Sequence, residues 1–174
     1  MYYEDNRVKD LKVAYIGGAS RGWAWGFMMD LAADAQMEGT VALYDIDNEA
    51  AAHTEIIGNK ISARPDAVSH WKYTVAETLQ QALTGADFVV ISILPGTFDE
   101  MESDVHAPEA YGIYQSVGDT VGAGGFMRAM RTIPMYVTIA EAIRDNSPNA
   151  WVINYTNPKP LYVRTLYHKY PKIK

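Results

Sequence analysis

A β-rich run, "LKVAYIG" from Leu11 to Gly17, leads straight into "YIGGASRGW", Tyr15 to Trp23. Glycine at the end of an apolar strand lets the backbone turn sharply, and the segment that follows carries Trp23, Phe27, Leu31 and Ala35 at four-residue intervals, the spacing of one helical stripe. The expectation is strand, tight turn, helix. Such a turn aims backbone N–H groups and the positive end of a helix dipole at one crevice, a geometry that suits a pyrophosphate. Gly17 and Gly22 occupy the outer positions of the pattern G-x-G-x-x-G, Ala19 stands in the middle one, and Ser20 offers a hydroxyl to a phosphate oxygen. Taken alone, the motif also fits a turn whose glycines serve only the backbone.

The rest of the chain repeats the alternation. A second strand is expected over Thr40 to Ile46, then a helix capped by Asn48 and stopped by Pro65. "WKYTV" reads as a third strand and "ETLQQAL" as a short helix closed by Gly85. The fourth strand, Asp87 to Ile93, is apolar throughout, as a strand covered on both faces should be. A helix is expected near Phe98 to Val105 and another from Phe126 to Arg144, with Pro134 predicting a kink or break. "AWVINY" gives a fifth strand, Pro158 to Tyr170 a helix, and "KIK" the start of a sixth strand. The expected architecture is α/β: a Rossmann-like, doubly wound parallel sheet with helices on both faces, in one domain over residues 1–174. A strand that begins at the last residues is expected to continue into a longer protein.

Composition narrows the function. The 15 Lys and Arg are outnumbered by 21 Asp and Glu, and no basic run exists, so neither nucleic acid nor an anionic membrane is an expected partner. Apolar stretches such as "FVVISIL" fall far short of the ~20 residues that span a bilayer, and the polar start does not resemble a signal peptide. A cytoplasmic protein is expected. The chain has no Cys, which excludes disulfides, thiolate nucleophiles and Cys-based zinc sites within it. The four histidines, His53, His70, His106 and His168, lack metal-ligand spacing.

Asp45 stands at the end of the second strand, where a carboxylate accepts hydrogen bonds from ribose hydroxyls and repels a 2′-phosphate. NAD is therefore expected rather than NADP. Leu94, Pro95 and Gly96 follow the fourth strand and would line the same crevice. In "SVGDTVGAGGFMRAMRTIP", Asp119 and Thr120 sit among glycines just before a helix with Arg128 and Arg131 three residues apart, on neighbouring positions of one face. From composition alone this stretch fits a ligand loop and a solvated surface loop equally well. Asn154 and Asn157, in "INYTNP", follow the fifth strand, although Asn before Pro is also an ordinary turn signal.

In order, "YIGGAS", "VALYDID", "SVGDTVGAGG", "MRTIP" and "WVINYTNP" resemble the N-terminal part of family 4 glycoside hydrolases, NAD-dependent glycosidases that depart from the usual two-carboxylate scheme. "GW" after the turn, "AYGIYQSVGDT" and Ile57 to Asn59 are most similar to the α-galacturonidase branch. The resemblance implies a second, α+β substrate and metal domain beyond Lys174, a small α-galacturonide substrate and a homo-oligomer. It also implies a mechanism in which NAD takes a hydride from C3 of the sugar, a base removes the acidified C2 proton, the C1 leaving group departs, water adds and the hydride returns. A divalent metal, usually manganese, is implied as a Lewis acid, held by a Cys and a His beyond Lys174. By the same resemblance Gly17, Gly18, Ala19, Ser20 and Asp45 match the NAD site, Asp119 an acidic position near the reactive hydroxyls, and Asn154 a sugar contact close to the metal. Arg128 and Arg131 are candidates to face the uronate carboxylate, Arg131 being equally open to a structural role. The alternatives are a lactate/malate-type dehydrogenase, another family 4 specificity (α-glucosidase, α-galactosidase or 6-phosphoglycosidase), and a non-enzymatic nucleotide-binding module.

Overall fold

The computed structural model describes residues Met1–Lys174. The strands are β1 (Tyr2–Glu4), β2 (Arg7–Ile16), β3 (Met37–Tyr44), β4 (Trp71–Val75), β5 (Phe88–Ile91) and β6 (Trp151–Asn154). The α-helices are α1 (Trp23–Ala33), α2 (Asn48–Ser62), α3 (Leu79–Leu83), α4 (Phe98–His106), α5 (Gly122–Asn146) and α6 (Lys159–Lys169), with a 3-10 turn over Ala107–Tyr111. The sheet runs β4-β3-β2-β5-β6, every neighbouring pair parallel, and β1 folds back antiparallel onto the start of β2. The Rossmann-like expectation is met, and the carboxyl ends of β2, β3, β5 and β6 lie side by side.

Alternation along β2 explains the two layers. Leu11, Val13 and Tyr15 turn to one face and pack with Ala24, Met28 and Leu31 of α1 and with Trp71 and Tyr73 of β4. Ala14 and Ile16 turn to the other, beneath Tyr136, Ile139 and Ile143 of α5 and Tyr162 and Leu166 of α6. Val89, Val90 and Ile91 are buried on both sides, as an all-apolar strand between two others must be.

Several expectations are corrected. The buried stripe of α1 is Ala24, Met28, Leu31 and Ala32; Trp23 is exposed, and Ala35 lies beyond the helix. The helix therefore turns its small and flexible side chains to the sheet and leaves its first tryptophan at the crevice. The first strand starts at Arg7, extended by its pairing with β1. The second covers Met37–Tyr44 and the fourth Phe88–Ile91, both ending before the ligand-facing loops. Asp47, not Asn48, caps α2, its side chain accepting the Ala50 N–H at 3.0 Å.

Pro134 does not break α5, which continues for 25 residues. Buried residues on both sides of it, Arg128, Ala129 and Thr132 before, Tyr136, Ile139 and Ala140 after, hold the two halves in one packing surface. That helix also starts four residues earlier than expected. A Cβ on Gly124 would stand 2.7 Å from the Asp104 carbonyl oxygen of α4 and 2.9 Å from the Gly118 carbonyl oxygen, so absence of a side chain lets the first turn press against α4 and the loop before it. "KIK" forms no strand, although the Val152 N–H of β6 donates to the Lys174 carbonyl at 2.9 Å and Ile173 is buried. No helix is long and apolar enough to cross a membrane.

Candidate functional site

At the carboxyl edge of the sheet, Gly17 has φ +96°, and a Cβ there would lie 2.0 Å from the Ser92 carbonyl oxygen. Glycine is therefore required for the turn to pass between β2 and the end of β5. The Gly17 and Gly18 N–H groups both donate to the Tyr44 carbonyl at 2.9 Å, and the Ser20 N–H donates to the Gly17 carbonyl. The Ala19 N–H donates to Asp45 Oδ2 at 2.9 Å, while Asp45 Oδ1 accepts from the Asp47 N–H at 3.1 Å. Two residues singled out from distant parts of the sequence thus meet directly.

These bonds occupy the N–H groups of the turn itself. The N–H groups of Arg21 to Trp25 form no hydrogen bond to another part of the chain, α1 has no side-chain cap, and its first turn carries no acidic residue. The free donors and the positive end of the dipole therefore begin one step past the glycine turn. Asp45, half-buried, keeps a lone pair on each oxygen for a further donor.

A second group of predicted residues surrounds the N-terminal end of α5. Asp119 Oδ1 accepts from the Thr120 hydroxyl at 2.9 Å, and Asp119 Oδ2 lies 3.8 Å from Arg128 Nη1. Arg128 is 8% exposed, and its Nε is buried without a partner. Arg131 is placed differently. Its Nη2 and Nη1 reach the two oxygens of Asp104 at 2.5 and 3.4 Å, and its Nε donates to the Pro95 carbonyl at 3.3 Å. The hydrogen bond to Asp104 holds the Arg131 guanidinium above its usual range. Arg131 thereby anchors the loop in which Leu94 is exposed, Pro95 buried and Gly96 turned to φ +92°. The two arginines face different carboxylates.

Asn154 ends β6 and is half-buried. Its Oδ1 accepts the Tyr136 hydroxyl at 2.5 Å and the Thr156 N–H at 3.2 Å, and its Nδ2 donates to the Thr156 carbonyl at 3.1 Å. Thr156 Oγ1 also accepts the Ile93 N–H at 2.9 Å, tying the loop after β5 to the loop after β6. Tyr136 is fully buried and stacks on Tyr162 at 4.4 Å between ring centroids. Burial pushes the Tyr136 phenol well above its usual range. Asn157, half-buried, precedes Pro158 across a cis peptide bond.

Tyr136 and Thr156 were not distinguishable in the sequence. Tyr136 shares its face of α5 with apolar residues, and Thr156 sat unremarked inside the asparagine motif. No group of three or more His, Cys, Asp or Glu side chains is placed to hold a metal ion. His70 Nδ1 lies 3.2 Å from the Ser62 carbonyl, and His106 pairs with Glu109.

Known proteins resemble this chain in sequence and fold. The chain is 66% identical over its whole length to an alpha-galacturonidase of Lachnoclostridium phytofermentans, of which it covers 37%. It is 31% identical over 93% of its length to an alpha-glucosidase of Erwinia rhapontici, covering 36% of that protein. Among solved structures, lplD of Bacillus subtilis superimposes with a TM-score of 0.89 at 54% identity over 96% of this chain and 37% of that one. A 6-phospho-beta glucosidase of Thermotoga maritima with manganese, NAD+ and glucose-6-phosphate gives a TM-score of 0.76 at 25% identity over 94% of this chain and 38% of that one. The chain thus spans a little over a third of the relatives it matches. The family model described as Family 4 glycosyl hydrolase matches residues 12–174, and the chain belongs to that family.

Proposed function

We propose that residues 1–174 are the NAD-binding domain of a family 4 glycosidase acting on α-galacturonides. The observation that carries the cofactor reading is the pairing of a cradle that only Gly17 can form with five unpaired N–H groups at Arg21 to Trp25. The residues present fit a dinucleotide. Gly17 and Gly18 pack the turn tightly against Ser92 and Leu43 and so place α1 beside it, the Ser20 hydroxyl and the α1 N-terminus donate to the pyrophosphate oxygens, and Asp45 accepts from the ribose hydroxyls through its remaining lone pairs. Leu94, Pro95 and Gly96 line the same crevice. Bound NAD supplies a reversible hydride acceptor, which lets the C2 proton of the sugar become acidic without net oxidation. Manganese accompanies NAD in the Thermotoga relative, but this chain's own residues do not form a metal site.

The sugar assignment is supported by the higher identity to the alpha-galacturonidase than to the alpha-glucosidase. Asp119 and Asn154 meet the sugar near the carboxyl edge, with Asn157 beside them. Between the arginines, the geometry favours Arg128 for the uronate carboxylate. Arg131 has its guanidinium engaged by Asp104 and Pro95, whereas the Asp119 oxygen near Arg128 stands beyond hydrogen-bond distance and leaves its Nη donors available. Arg131 then shapes the Pro95–Gly96 wall.

Hydrolysis of p-nitrophenyl α-galacturonide by the full-length protein, with NAD and manganese added or withheld, tests the reading. Release of nitrophenol only with both present, and with no accumulation of NADH, is the expected result. Net NADH formation with a hydroxy acid would instead place the protein with the dehydrogenases, and turnover without NAD would refute the cofactor assignment.

A further inference from the structure

The hydrogen bonds around Asn154 fix what that side chain can offer to a ligand. An amide oxygen accepts two hydrogen bonds and an amide nitrogen donates two. The Thr156 N–H can only donate and the Thr156 carbonyl can only accept, so their contacts at 3.2 and 3.1 Å orient the amide with Oδ1 toward the first and Nδ2 toward the second. The Tyr136 hydroxyl then takes the remaining place on Oδ1 at 2.5 Å. One N–H on Nδ2 is left.

We propose that Tyr136 is a positioning residue which closes the carbonyl of Asn154 and makes it a one-directional group, presenting a single N–H to an oxygen of the sugar. This rests on the reading that Asn154 meets the substrate. Its chemical consequence is that Asn154 recognises an oxygen acting as acceptor, a hydroxyl lone pair or a developing oxyanion, and contributes no oxygen to a cation or to a donor hydroxyl. Tyr136 is suited to the task because it is fully buried and its ring is held against Tyr162, so the hydroxyl has little freedom to leave Asn154. Donation into Oδ1 also polarises the amide and strengthens the outward N–H as a donor. No ligand touches Tyr136 in this scheme; it acts through Asn154.

The test uses the full-length enzyme and four proteins: wild type, Tyr136→Phe, Asn154→Ala and the double variant. The readings are kcat/KM on p-nitrophenyl α-galacturonide and the dissociation constant for NAD. Tyr136→Phe keeps the ring and its stacking. It is expected to lower kcat/KM about tenfold, the scale of one lost hydrogen bond, and Asn154→Ala about 100-fold. NAD affinity should stay within about twofold throughout, which also reports that each variant is folded. In the Asn154→Ala background, removing the Tyr136 hydroxyl should change kcat/KM less than about twofold, since its action passes through Asn154. A tenfold loss in both backgrounds, wild-type activity of Tyr136→Phe, or a parallel loss of NAD affinity would overturn the proposal. Wild-type activity of Asn154→Ala is a separate outcome: it would remove Asn154 from the sugar site and this inference with it.

Discussion

Replacing Gly17 by alanine tests the turn at its tightest point. The added Cβ would stand 2.0 Å from the Ser92 carbonyl oxygen and 2.6 Å from its carbon, both backbone atoms that no side-chain rotation can move aside. The Ser92 N–H donates to the Ile16 carbonyl at 2.8 Å, so relieving the clash pulls apart the carboxyl ends of β2 and β5. Overpacking of this kind costs about 1–3 kcal/mol, and placing alanine at φ +96° adds about 1–3 kcal/mol. A loss near 4 kcal/mol is expected, a large share of the roughly 5–15 kcal/mol that holds a domain folded. Gly22, in the same motif, is the control: a Cβ there meets nothing within 4 Å, and its φ is −90°. Gly22→Ala should cost less than about 1 kcal/mol, mainly through a poorer helix cap. Urea unfolding of the two variants measures the difference directly. Equal losses, or a Gly17→Ala protein as stable as wild type, would refute the account of why the glycine turn exists.

Asp47→Ala should destabilise by about 1 kcal/mol through loss of the α2 cap, while Asn48→Ala should be nearly neutral in the same unfolding assay. Arg131→Ala should cost about 2 kcal/mol, between the values for exposed and buried ion pairs, because it leaves the mostly buried Asp104 unpaired. Sugar affinity should follow Arg128→Ala instead, read as a rise in KM for the galacturonide. Burial pushes the Tyr15 phenol up to about 12, and Tyr73 and Tyr136 shift in the same direction. A folded value raised above the unfolded one near 10 gives stability that is complete below pH 10 and lost as pH rises toward 12. Circular dichroism and tyrosinate absorbance should therefore change together in that alkaline window; exposure of tyrosinate without unfolding would contradict the burial of these rings.

The order of β2 to β6 and their helices was legible because the central strands carry apolar residues on both covered faces, most plainly Phe88–Ile91, whereas β1, exposed along its length, gave no such signal. Asp45 and the glycine turn were legible for the same reason: strand ends are where ligands meet a parallel sheet, and both residues stand at one. Local propensity misled where packing decides. Pro134 discourages a helix in isolation, but the buried residues on either side of it keep α5 continuous. The glycines at 122, 124 and 125 look like loop, yet all three begin α5, with Gly124 pressed against the carbonyls of Asp104 and Gly118. Arg128 and Arg131 share a helix face in sequence but diverge in partners, since Asp104 and Asp119 come from segments whose placement no spacing reveals. Tyr136 was invisible as a polar group, because only the return of β6 brings Asn154 beneath its hydroxyl.

The central claim is that the turn after β2 and Asp45 at the end of β3 together hold NAD. Calorimetric titration of the protein with NAD and with NADP tests it most directly. Saturable binding of NAD, with NADP at least about tenfold weaker because its 2′-phosphate meets the Asp45 carboxylate, is the predicted result. Equal affinity for the two, a preference for NADP, or no binding of NAD would contradict it.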